Sequence, residues 1–230
     1  MLPGSSLLKR IVSALILAPL ALLCIFDGGW FFMGMVGLAG LVALYEWFQF
    51  AGRLPRAGLH FFIGGLYLSV CFGSYIFLRF AFEQGAWLAI SIIFCVWATD
   101  TGAYLFGKLI GGPKLAPKVS PKKTWAGLAG AMLCGGAALV LFYLIGEDFS
   151  GWMRTDLGLH PHHLPFLFAA GCLVGVIGQA GDLFISLYKR RAGVKDTGAI
   201  IPGHGGLLDR IDSLLLVCPC FLALVLTWHP

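Results

Sequence analysis

Asp209 and Asp212 stand three residues apart at the head of one long apolar run, and Asp182, Ser186 and Lys189 stand four and three apart at the tail of another. On a helix, i and i+3 share a face, and at about 100° per residue positions 182, 186 and 189 fall within about 40° of one another. One helix face would then carry a carboxylate, a hydroxyl and a cation, and a second face a pair of carboxylates. Oxygen ligands of this kind suit a hard cation such as Mg²⁺, which keeps positions open for water and phosphate oxygens. Asp182, Asp209 and Asp212 are therefore the candidate metal ligands. Taken alone, Asp209 and Arg210 also read as cap and charge-pair residues at a helix entrance, and Lys189 as an interfacial lysine stretched toward water. The number of acids drawn from separate apolar segments favours the metal reading, because each intramembrane carboxylate is costly.

Two more acids share that depth. Glu46 lies 7 residues before Arg53, Asp100 lies 8 before Lys108, and Asp182 lies 7 before Lys189. At 1.5 Å per residue each carboxylate sits about 10–12 Å from the basic end of its helix. Asp100 joins the acidic cluster on this count. Glu46 is expected to face the bundle interior and organise the site, through a metal-bound water or by pairing with a nearby cation. The alternative is a protonated or interfacial glutamate, flanked by Tyr45 and Trp47 in an aromatic belt. His204, Gly205 and Gly206 precede the helix that carries Asp209, so their backbone can approach a ligand closely, and a helix N-terminus welcomes phosphate. Lys122, Lys123 and Thr124, with Ser120, suit an oxyanion at the mouth, although lysines there also serve topology alone.

These residues must be held by membrane helices. The chain has 230 residues, 59% of them hydrophobic and 12% charged, and its mean hydropathy is +0.87. An ordinary soluble domain has roughly 25% charged residues. Long apolar runs without strand alternation exclude a barrel, which leaves an all-α, polytopic helical bundle. Runs of about 20 apolar residues predict seven transmembrane helices, over 10–26, 29–51, 61–82, 85–106, 125–146, 165–188 and 207–228. All Lys and Arg except Arg79 and Arg154 fall in alternate loops, so the N-terminus is expected to be cytoplasmic, the C-terminus external, and the acids near the inner face. Continuity of the first apolar run with later spans favours a retained helix over a cleaved signal. The net charge of +5 gathers at one membrane face, which suits anionic headgroups or a polyphosphate and not nucleic acid. The seven cysteines sit in apolar runs as small hydrophobes. The expectation is one membrane-embedded domain over 1–230, with N-terminal spans at 10–82 and a catalytic portion at about 85–228.

The polar segment between the last two spans carries Ser186-x-x-Lys189-Arg190, then Lys195-Asp196, then Pro202-x-His204-Gly205-Gly206-x-x-Asp209-Arg210-x-Asp212. This resembles the signature of the phosphatidate cytidylyltransferase (CDP-diacylglycerol synthase) family, with more than ten matching positions in a 27-residue window. Asp100-Thr101-Gly102-Ala103-Tyr104-x-x-Gly107 and Ser120-Pro121-Lys122-Lys123-Thr124 fit the same family, so the likeness runs from about residue 95 to 213. It implies transfer of CMP from CTP to phosphatidic acid, releasing pyrophosphate, at a multi-pass protein of the inner membrane whose site faces the cytoplasm. Mg²⁺ is the implied cofactor; a second metal site, for a monovalent cation, and a homodimer stay open.

On that reading Asp182, Ser186, Lys189, Asp209 and Asp212 are catalytic. Lys122, Lys123, Thr124, Arg190, Lys195, Asp196, His204, Gly205, Gly206, Arg210 and Asp100 contact substrate. Family members often carry Glu where this chain has Ala126. Two other readings share these features: a CTP-dependent transferase for another lipid phosphate, of the polyprenol or dolichol kinase kind, and a cation- or proton-coupled transporter. A transporter would be expected to place its acids near the midplane in two related halves, whereas here they gather on one side.

Overall fold

A computed structural model describes residues 3–150, 161–201 and 205–228. Its helices are α1 (Pro3–Asp27), α2 (Gly29–Ala51), α3 (Ala57–Phe80), α4 (Gly85–Leu109), α5 (Trp125–Ser150), α6 (Leu164–Arg191) and α7 (Leu208–Trp228). Each predicted span coincides with one of them. Among the described residues six helices, α2 to α7, are long and apolar enough to cross a membrane, and Leu15–Asp27 of α1 forms a shorter apolar stretch. Large apolar side chains such as Trp30, Phe31, Leu41, Phe62 and Leu109 are exposed on the outside of the bundle, where hydrocarbon takes the place of a packed neighbour.

One element departs from the all-helical expectation. Residues 110–124 form an antiparallel hairpin, β1 (Lys114–Ala116) and β2 (Ser120–Thr124), pairing Lys114 with Thr124 and Ala116 with Ser120. Lysines and prolines had marked this stretch only as a polar loop, since pairing across a short turn leaves no apolar period to read. The hairpin ends by capping the next helix: the buried Thr124 accepts the Gly127 N–H through Oγ1 at 3.1 Å, which satisfies a donor that the first turn of α5 leaves free.

α5 packs between α4 and α6, and small residues set how closely. A Cβ on Gly102 would meet the Gly130 carbonyl at 2.5 Å, and one on Gly175 would meet the Ala131 carbonyl at 2.7 Å. Gly135 of α5 and Gly171 of α6 face each other's carbonyls with no room for a methyl group. Apolar side chains gain nothing by leaving lipid for protein, so close backbone approach and van der Waals contact do the holding. On the other side α2, α3, α6 and α7 enclose Trp47, Phe50, Leu68, Ile185, Tyr188 and Leu208. Trp47 is fully buried there and donates Nε1–H to the His60 carbonyl at 2.9 Å, so it belongs to the core and not to an interfacial belt. α1 is tied in by Arg79 at the end of α3, which donates to the Ile25 and Phe26 carbonyls at 2.7 and 3.3 Å, acceptors that a helix C-terminus leaves unfilled.

Gly135→Leu should lower the midpoint of thermal unfolding in detergent by an amount matching about 1–3 kcal/mol of overpacking. Gly73→Ala, where an added Cβ meets nothing within 4 Å, should leave that midpoint unchanged or slightly higher.

Candidate active site

The polar layer is built from α6, α7, the hairpin and residues 192–201 and 205–207, with α2 and α4 each adding one acid. Gly181 lets α6 and α7 cross closely, since a Cβ there would come within 2.7 Å of the Asp212 carbonyl. That crossing brings Asp182 of α6 beside Asp212 of α7.

On α6 the predicted face is present. Ser186 donates Oγ–H to Asp182 Oδ1 at 3.1 Å, and Lys123 from β2 reaches Asp182 Oδ2 at 2.7 Å. Lys123 also donates to the Gln179 carbonyl at 3.3 Å, so one ammonium from the hairpin joins two successive polar positions of α6. Seven residues further along, Lys189 pairs with Asp209 Oδ1 at 2.6 Å, with only 9% and 7% of the two side chains exposed. A buried charge needs such a partner, because removing it leaves an uncompensated ion.

The other oxygen of Asp209 is taken as well. Oδ2 accepts from the Thr197 N–H at 2.9 Å, the Thr197 hydroxyl at 3.1 Å and the Gly206 N–H at 3.3 Å. Thr197 is buried and its Oγ1 stands 2.9 Å from Glu46 Oε2. Its one hydroxyl proton is therefore shared between two carboxylates. Glu46, 1% exposed, further accepts the Leu207 N–H through Oε1 and the Leu208 N–H through Oε2, each at 2.9 Å.

These contacts resolve the two readings of Glu46. It faces the interior and organises the site, but its described partners are backbone amides and a hydroxyl, not a cation. They also correct the expectation that the N-terminus of α7 receives phosphate. Glu46 already supplies the anion there, capping α7 from a helix more than 150 residues away in sequence. The glycines fit around it: a Cβ on Gly198 would lie 2.7 Å from Glu46 Oε1, and one on Gly206 would lie 2.7 Å from Oε2. Gly205 takes a φ of 86° and receives the Ile201 N–H on its carbonyl at 3.0 Å. The small side of this loop thus serves an internal carboxylate.

The remaining acids form a second group. Ser213 donates Oγ–H to Asp100 Oδ1 at 3.3 Å, and Asp212 Oδ1 accepts the Ser213 N–H at 2.8 Å. Asp100 and Asp182 both act electrostatically on Asp212, as does Lys189. Among the described residues no three Asp, Glu, His or Cys side chains converge as a metal-holding group. The donors still fit a hard cation held by two carboxylates, Asp182 and Asp212, with water and phosphate oxygens completing its shell, the manner in which Mg²⁺ is commonly bound. Asp209, expected as a third ligand, spends its oxygens on Lys189, Thr197 and Gly206.

Of the expected substrate contacts, Lys122 is exposed beside Lys123, and Arg190 donates Nε–H to the Val119 carbonyl at 3.3 Å, joining α6 to the hairpin turn. Lys195, Asp196 and Arg210 are exposed on the same polar layer, and His204 lies outside the described residues. Ala126 stands half-buried in the first turn of α5. Thr197, Ser213 and Gln179 were missed. Each is an uncharged polar residue with no spacing to mark it, although an intramembrane Gln or Ser followed by an acid on the next helix was a usable signal.

A sequence model of the cytidylyltransferase family matches residues 56–228, which takes in every element of this layer except α2. The chain belongs to the cytidylyltransferase family. It is 37% identical over 221 residues to the phosphatidate cytidylyltransferase of Rickettsia prowazekii, covering 94% of this chain and 90% of that one. The corresponding protein of Rickettsia typhi is 36% identical over 217 residues, again 94% of this chain and 90% of its relative. Against the phosphatidate cytidylyltransferase of Staphylococcus aureus the identity is 39% over 138 residues, 60% of this chain and 48% of that protein.

Two outcomes test the geometry. Lys189→Met alone should cost about 3–5 kcal/mol of unfolding free energy, and the double variant with Asp209→Leu should cost less than the sum of the two single variants, measured as a double-mutant cycle in detergent. Glu46→Gln should cost about 1–3 kcal/mol, because the amide NH₂ faces backbone donors, and hydrogen exchange should accelerate at Leu207 and Leu208.

Proposed function

We propose that this polar layer is where a soluble nucleotide and a lipid phosphate meet. The activity is that of a phosphatidate cytidylyltransferase: CMP passes from CTP to phosphatidate, giving CDP-diacylglycerol and pyrophosphate. A phosphate oxygen of phosphatidate bonds to the α-phosphorus of CTP while the bond from that phosphorus to the bridging oxygen breaks, and the bridging oxygen leaves with pyrophosphate. Both reactants are anions, so the protein's task is to hold and screen charge in line.

The observation that carries this reading is the alternation of cations and carboxylates across the α6–α7 crossing, with Lys123 on Asp182 and Lys189 on Asp209. Lys122, Lys123 and Arg190 are gathered by the hairpin beside the carboxylates and bind phosphate oxygens. Lys123 can exchange its carboxylate partner for a phosphate without moving far, since its half-open setting leaves it reachable. Ser186, held by Asp182, orients a phosphate oxygen or a water. Lys189 stays with Asp209, keeping Thr197 and the start of α7 in place. Asp182 and Asp212 are the residues that would hold Mg²⁺, which would supply charge neutralisation for the triphosphate and for the attacking and leaving oxygens. The gathering of basic residues in alternate loops supports a cytoplasmic N-terminus and a site at the cytoplasmic face of a cell inner membrane, where CTP is dissolved and phosphatidate headgroups lie.

The test is conversion of radiolabelled CTP into a chloroform-soluble product in mixed micelles. Phosphatidate should support it, and polyprenyl phosphate should not. Asp182→Asn and Asp212→Asn should each lower the rate about a hundredfold or more with unfolding midpoints near wild type, and a variant retaining over about a tenth of the rate would remove that residue from the reaction.

A further inference from the structure

A cavity of about 470 Å³ opens between the end of α2 and residues 194–200, and Glu46 and Thr197 form part of its wall. It therefore lies one hydroxyl away from Asp209. Its volume is in the range of small-molecule sites, roughly 300–1,000 Å³. Of its lining only Asp196 belongs to the signature segments, and the residues it takes from α2 lie outside them.

Its charge decides what can enter. Arg53 contributes one positive charge, while Glu46 and Asp196 contribute two negative ones, so a triphosphate or a lipid phosphate is repelled. A neutral group rich in hydrogen-bonding edges is not. Tyr45, Gln49 and Arg53 recur every four residues and so present one side of α2 and its extension to the cavity. Gln49 carries both a donor NH₂ and an acceptor oxygen, Arg53 a planar fork of donors, and Asp196 an acceptor. Cytosine offers the complement: an exocyclic amine that donates, for which Asp and Glu are suitable acceptors, and a ring nitrogen and carbonyl that accept. Uracil reverses the first two positions of that edge: its carbonyl would face the Asp196 carboxylate, and its ring N–H would face donors where cytosine presents an acceptor.

We infer that this cavity reads the cytosine base of CTP, with Asp196 accepting from the exocyclic amine and Gln49 and Arg53 donating to the ring acceptors. The inference rests on the cytidylyltransferase reading and adds to it the side of the site on which the nucleoside lies. The base lies beside Thr197, whose hydroxyl separates it from the Asp209 carboxylate. The N-terminal half of the chain, through α2, thereby sets which nucleotide is used.

Steady-state rates with CTP or UTP as donor test it in Gln49→Ala and in Ala199→Trp, which fills the cavity from an exposed lining position. Each variant should raise the KM for CTP about tenfold or more, the size of one lost hydrogen bond, and leave the KM for phosphatidate at its wild-type value. Asp196→Asn should narrow the preference for CTP over UTP, because an amide can donate to the uracil carbonyl. A direct readout independent of turnover is maleimide labelling of Ala199→Cys, followed at that position by mass spectrometry: CTP should protect it, and UTP at the same concentration should not. Unchanged KM for CTP in both variants, or labelling that CTP does not slow, overturns the inference, as does a rise confined to the KM for phosphatidate. Failure of the wild-type protein to form any CTP-dependent lipid product would instead strike at the activity, and the labelling experiment still decides whether cytosine binds here.

Discussion

A single buried carboxylate holds the polar half of this molecule together. Glu46 sits on α2, accepts two amides at the start of α7, and shares the Thr197 proton with Asp209. Asp209 in turn neutralises Lys189 of α6. Three transmembrane helices and the segment between two of them are thus joined through one unbroken set of hydrogen bonds at the edge of the hydrocarbon. In a medium that gives backbone donors no water, the amides of Leu207 and Leu208 need an acceptor, and α7 has no side-chain cap of its own among the described contacts. The acid that would be a liability elsewhere is here the cheapest acceptor available.

The glycines of the loop follow from the same constraint. Gly198 and Gly206 have no space for a side chain because the Glu46 carboxylate fills it, and Gly205 takes a left-handed conformation next to Asp209. A glycine-rich loop before a helix ordinarily suggests a phosphate cradle. In this protein that position is filled from within by Glu46, and Lys123 of the hairpin and Lys189 of α6 stand across the layer, paired with Asp182 and Asp209. The division leaves two kinds of carboxylate: Glu46 and Asp209, whose oxygens are taken up by donors within the protein, and Asp182, Asp212 and Asp100, which lie close enough to act electrostatically on one another.

Close packing where α4, α5 and α6 meet complements that polar chain. Backbone contacts at Gly102, Gly135 and Gly171 leave no room for a side chain, so Asp100 and Asp182 are presented from helices packed backbone to backbone against α5. The hairpin is capped onto α5 by Thr124 and reaches α6 through Lys123 and Arg190. It is therefore fixed at both ends, and its lysines are held near carboxylates although they are borne on a short two-stranded element that would be marginal alone.

Helix identity was determined by the sequence alone, because lipid forces every apolar run of about 20 residues into a helix; of the seven runs expected to span, six are long and apolar enough to cross a membrane among the described residues. The i, i+4, i+7 face of Asp182, Ser186 and Lys189 was legible for the same reason: it depends only on helical periodicity. The signature residues likewise identified the chemistry before any geometry was known. Tertiary structure alone decided the pairings. Whether Lys189 meets Asp209 or Asp182, whether Glu46 finds a cation or an amide, and that Lys123 arrives on a strand all depend on which helices adjoin. Spacing within one segment carries no information about a partner 150 residues away. Thr197, an unremarked position in the motif, became the link between two carboxylates for that reason, and Trp47 went to the core because Gly64 of the neighbouring helix leaves it room.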